Sequence, residues 1–74
     1  MGSRGTLRLL GAKIREIREA ASLTQEALAE VADVHVNVVG RLERGTYNPS
    51  VLVLQSIATA LETSLSDLFE SIGQ

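Results

Sequence analysis

Apolar side chains recur at three- and four-residue steps along the first part of the chain, at Leu7, Leu10, Ile14, Ile17 and Ala21. That step is the period of one buried helix face. It predicts a first helix over residues 7–21, with Arg8, Lys13, Arg15, Glu16 and Glu19 falling largely off the stripe toward water, and leaves residues 1–6 as an N-terminal tail. Ser22-Leu23 breaks the pattern, and Thr24 offers a hydroxyl to an unpaired amide in the first turn of a second helix, 25–32. Asp33-Val34-His35 interrupts after two turns, since aspartate tolerates the left-handed backbone of a tight turn. A third helix follows over 36–44 and stops at Gly45.

Thr46-Tyr47-Asn48-Pro49 reads as an exposed loop by composition. Ser50 then caps a fourth helix with Leu54, Ile57, Ala58 and Leu61 on its inner face. Ser64 caps a fifth, with Asp67 in the capping-box position and Leu65, Leu68, Phe69 and Ile72 on its apolar side. No stretch alternates as a strand would. The expected architecture is all-α, five helices in one compact domain over residues 7–72.

Within that pattern, residues 24–45, TQEALAEVADVHVNVVGRLERG, are the informative stretch. Two short helices are joined by a three-residue turn. Leu28 and Ala29 face inward from the first, Val34 plugs the turn, and Val39 with Leu42 anchors the second. Ala29 is small where the helices cross. This is the plan of a helix-turn-helix, spanning 25–44, whose second helix projects its outer face into a DNA major groove about 12 Å wide.

From about Leu10 to Phe69 the chain resembles the phage-repressor and Cro-like helix-turn-helix family, which includes restriction-modification controllers. The resemblance rests on Leu10-Gly11 with Ile14-Arg15 and Arg18, Leu23-Thr24-Gln25 leading to Leu28-Ala29, Leu42-Glu43-Arg44-Gly45, Asn48-Pro49-Ser50, Ile57-Ala58 with Ala60-Leu61, and Ser64 to Phe69. It implies a five-helix, lambda-repressor-like fold and a regulator that binds operator DNA, often as a homodimer.

It also implies residue roles. Val36, Asn37, Gly40 and Arg41 match the base-reading positions, where Asn37 would bridge adenine N6 and N7, Arg41 guanine O6 and N7, and Val36 a thymine methyl. Gln25, at a helix N-terminus that favours an anion, is expected on a phosphate, and Arg44, Thr46, Tyr47 and Asn48 on the backbone beyond the recognition helix. For Tyr47 a lid on the small core is an equal alternative, and Val38 either touches a sugar or packs. Arg18 and Glu43 match a pair that ties the first helix to the recognition helix. Leu52 and Val53 stand where the family is usually polar, so they are expected in a homodimer interface with Leu65, Phe69 and Ile72. A longer inner face within the monomer is the other reading. The chain departs from the family at Ser22 and Asp33, where glycine is usual, at Gly40 within a helix, and in the apolar run Val36-Asn37-Val38. His35 stands at an N-cap usually held by serine.

Charge changes the picture in one respect. The net charge is −2, unlike the basic footprint of most DNA binders, which leaves a protein-interaction module of the same fold as the rival function. Its distribution is lopsided: residues 1–20 carry five basic and two acidic groups, 21–45 two and four, and 46–74 none and three. A basic end near the arginines would steer DNA even where the total is acidic. With no cysteine and one histidine, thiol chemistry, a metal site and a nucleophile–base–orienter set find no candidates, so neither an enzyme nor a cofactor is expected. Apolar runs are too short for a membrane span or signal peptide, so a cytoplasmic location and double-stranded DNA as partner are expected. Within these 74 residues no separate small-molecule domain is expected.

Overall fold

The computed structural model describes residues 3–70 and 72, with side chains for 5–70 and 72. Five helices follow in order: α1 Ser3–Ala20, α2 Gln25–Ala32, α3 Val36–Arg44, α4 Val51–Ala60 and α5 Leu65–Glu70. No strand occurs among the described residues. α1 and α2 both pack on α3, α4 lies against α2, and α5 closes the bundle against α1 and α4.

Helix ends are set by local chemistry. The side chains of Thr24, Ser50 and Ser64 accept from the amides of Ala27, Val53 and Asp67 at 3.0, 3.1 and 3.0 Å. His35 does the same through Nδ1 for Asn37 at 3.0 Å, which requires that nitrogen to be unprotonated. Asp67 does not complete its capping box. Its carboxylate accepts instead from the Thr63 hydroxyl at 3.3 Å.

The first four helices end alike. After each, one left-handed residue donates to the carbonyl three back and the next residue to the carbonyl five back, the Schellman arrangement. The left-handed residues are Ser22, Asp33, Gly45 and Glu62, at φ 61°, 59°, 75° and 57°. Only Gly45 avoids the Cβ cost of that conformation, and it also needs to, because a Cβ there would stand 2.9 Å from the Cα of Arg8.

α1 corrects the sequence reading at both ends. It begins at Ser3, inside the expected tail, and its Gly5, Thr6 and Leu9 line, with Ala12, Arg44 and Ile72, a groove of about 600 Å³. It ends at Ala20, so Ala21 is an exposed turn residue rather than the last apolar position.

The core draws on every helix: Leu10 and Ile14, Leu28, Ala29 and Ala32, Val39 and Leu42, Leu54, Ile57 and Ala58 with Leu61, and Leu68. Leu28 is fully buried in the two-turn α2. A helix that short is not stable in isolation, and cutting Leu28 to alanine removes about 2–5 kcal/mol. At Gly11 the backbones of α1 and α3 approach closely, since a Cβ there would collide with the Leu42 carbonyl oxygen and lie 2.8 Å from that of Glu43. The main chain of α1 therefore rests on the last carbonyls of α3.

Candidate nucleic-acid interface

Beside Gly11 the two helices are also joined by charge. Arg18 Nε and Nη2 donate to Glu43 Oε2 and Oε1 at 2.6 and 3.1 Å, a forked pair whose side chains are 11% and 4% exposed. Arg18 Nη1 donates to the Leu23 carbonyl at 2.7 Å, tying in the link before α2. Gln25 Nε2 donates to Glu43 Oε1 at 3.0 Å. The bonds to Glu43 raise the pKa of Arg18 above its ordinary value, against the opposing pull of burial. Among the described residues no buried side-chain nitrogen or oxygen lacks a partner. One carboxylate thus holds α1, the start of α2 and α3 in a fixed relation.

That relation leaves a concavity of about 350 Å³ between the first turn of α2 and the outer side of α3, lined by Gln25, Glu26, Val36, Asn37, Gly40, Arg41 and Arg44. It brings together the four expected base-reading positions and two of the expected backbone positions. Asn37 and Arg41 are exposed there. The Arg41 guanidinium lies over the Tyr47 ring, 5.7 Å from its centre. Cation and ring attract at that distance, so Arg41 is drawn toward the α3–α4 link. Tyr47 itself is half-buried against the core, combining the lid with a polar edge. Thr46 hydrogen-bonds the Arg41 carbonyl through its amide at 3.0 Å and its hydroxyl at 3.3 Å, and Asn48 is exposed beyond it.

Two expected positions differ. Gly40 is buried, not open: the Arg44 Nη1 and Gln25 Oε1 atoms lie 3.2 and 3.7 Å from where its Cβ would be. Val36 is half-buried and packs against the core, as does Val38, because the short α3 needs more apolar surface than Val39 and Leu42 supply. Gln25 also spends its amide nitrogen on Glu43, leaving its backbone and Oε1 toward the concavity. Glu26 was not foreseen in the lining. Its signal is its place in the first turn of α2 beside Gln25.

On α4 and α5, Leu52 and Phe69 are exposed, Leu52 at 77%, with Val51 beside it at 67%. Val53, Leu65 and Ile72, expected in the same interface, are half-buried and pack against the monomer's own core. Among the described residues no group of His, Cys, Asp and Glu side chains is placed to hold a metal ion. No helix is long and apolar enough to cross a membrane.

A two-turn helix, a three-residue turn and a second helix whose outer face is held clear of the domain define a helix-turn-helix nucleic-acid-binding fold. Comparison with known proteins gives the family. Residues 14–68 match the helix-turn-helix family HTH_3. The chain is 40% identical over 68 residues to control protein C.BamHI of Bacillus amyloliquefaciens, covering 88% of this chain and 84% of that protein. The crystal structure of the restriction-modification controller protein C.AhdI from Aeromonas hydrophila superposes with a TM-score of 0.86 at 37% identity, over 88% of this chain and 98% of that one. The clp gene regulator ClgR from Corynebacterium glutamicum gives 0.84 at 34% identity, over 99% and 91%. The chain belongs to this helix-turn-helix family and is a DNA-binding transcriptional regulator.

Proposed function

We propose that the chain binds double-stranded DNA sequence-specifically as a homodimer, with α3 of each copy in a major groove. The observation that carries this reading is the single concavity shared by Gln25, Asn37, Gly40, Arg41 and Arg44, set on helices that one buried ion pair holds in register. Asn37 then has free donor and acceptor atoms for an adenine edge, and the arginines of the same face supply a fork for guanine. Val36 lies along the same face for a thymine methyl. The amides at the start of α2 and the Gln25 side chain meet a phosphate, and Thr46, Tyr47 and Asn48 follow the backbone beyond α3.

The second copy is supported by exposed apolar side chains at the start of α4 and on α5, Val51, Leu52 and Phe69. Two recognition helices related by a dyad would read half-sites about 34–36 Å apart or a multiple of that. A titration of labelled random and selected duplexes at increasing salt tests the function. Binding should weaken with a log–log slope of about −0.9 per phosphate neutralised. A protein that ignores duplex DNA at low salt is instead an interaction module built on the same fold, the reading that the net charge of −2 favours.

A further inference from the structure

Gly40 sits in the middle of a nine-residue helix, on the face that also carries Asn37, Arg41 and Arg44. A glycine there weakens the helix, and it is buried although it faces the concavity. What covers it is chemistry from its neighbours. Arg44 lies one turn on, and helical side chains lean toward the N-terminus. Its guanidinium accordingly lies back over Gly40, with Nη1 3.2 Å and Cζ 4.0 Å from the position a Cβ would take. Gln25 Oε1 borders the same spot at 3.7 Å, and the Gln25 amide is held by its bond to Glu43. Among the described residues no ion pair or hydrogen bond fixes the Arg44 guanidinium, and Arg41 is drawn off toward Tyr47.

From these positions we infer that Gly40 is a seat for Arg44, and that Arg44 reads a guanine from the middle of α3 rather than clamping the backbone at its end. The inference rests on the major-groove reading above and deepens it. A guanidinium at the end of a recognition helix, extended away from it, reaches the groove wall. Folded back over a residue with no side chain, it stands beside Gln25 on the α2 side of that face, within the concavity that Asn37 and Arg41 also line, with its fork free, and a free fork is what pairs with guanine O6 and N7. Arg41, stacked on Tyr47, is then the cation nearer the backbone. The interchange of roles between the two arginines follows from one missing Cβ.

Selection of bound sequences from a random duplex library, using the full chain, tests this with three variants beside the original. Arg44→Lys keeps the charge but not the fork. It should bind random duplexes within about 3-fold of the original while losing roughly 5- to 150-fold of preference for guanine at one position in each half-site. Arg44→Ala should lose the same preference. Gly40→Ala, which favours the helix, should weaken preference at that same position, because its Cβ moves the guanidinium off its seat by a few tenths of an ångström. If both Arg44 variants lower binding to every duplex alike and leave the selected motif unchanged, Arg44 is a backbone contact and the inference is overturned. If they change the motif and Gly40→Ala does not, the seat is overturned. An original chain that enriches no sequence at all overturns the major-groove reading itself, and the inference with it.

Discussion

Where α1 meets α3 the contacts are short, polar and directional: a forked ion pair at 2.6 and 3.1 Å, and the main chain at Gly11 resting on the carbonyls of Leu42 and Glu43. Where α4 and α5 face outward there is no basic side chain after Arg44, and Val51, Leu52 and Phe69 stand exposed. The first region fixes an orientation, because a forked pair tolerates little rotation of one helix against the other. The second supplies area without direction, which suits a surface that meets another molecule. A domain of 74 residues that buries a small core thus spends its polar interactions on aiming α3, while three of its exposed large apolar side chains, Val51, Leu52 and Phe69, lie on α4 and α5, beside Leu9 on α1 and Val31 on α2.

The contrast can be broken most severely in the polar seam. Glu43→Ala strands the Arg18 guanidinium in a buried setting and frees Gln25, and urea unfolding should show a loss of about 3–5 kcal/mol. A loss below about 1 kcal/mol would mean that water replaces the carboxylate and that the seam is held by Gly11 alone. At the apolar end, Leu52→Glu should leave monomer stability within about 0.5 kcal/mol. Sedimentation over a concentration series should show self-association weakened at least about 10-fold. A mass that stays monomeric for both proteins would remove α4 from the proposed interface. The smallest effect tests what the two regions share. Ser22→Gly beside the seam and Glu62→Gly beside the apolar end should each raise stability by about 1 kcal/mol, since both relieve a left-handed backbone. Unequal gains in thermal melts would show that one turn is braced by its surroundings.

Those two turns also mark how far the sequence is legible. The starts of α2, α3, α4 and α5 are written in Thr24, His35, Ser50 and Ser64, whose side chains act within three residues of themselves. The stops at Asp33 and Gly45 are local for the same reason. Glu62 carries no such signal, because glutamate is not a residue that favours the left-handed region, and the packing of Leu61 and Leu65 on the core decides its backbone. The Arg18–Glu43 pair spans 25 positions and lies beyond any periodicity; it was expected only through the family resemblance. Gln25, Asn37 and Arg41 are legible as a set because they lie on the facing sides of two adjacent helices. The burial of Gly40 is not, since it depends on which way the Arg44 side chain turns.

The main-chain contact at Gly11 bears on how such a protein changes its target. Because α3 is gauged against α1 by the main chain at Gly11 and by the Arg18–Glu43 pair, the side chains of Asn37, Arg41 and Arg44 are not part of that seam. They can be exchanged for others without re-founding the fold, as type can be reset in a fixed frame. On the proposed major-groove reading, new operator preferences are reached by substitutions on the outer face of α3, while Gly11 stays as the datum from which each new text is read.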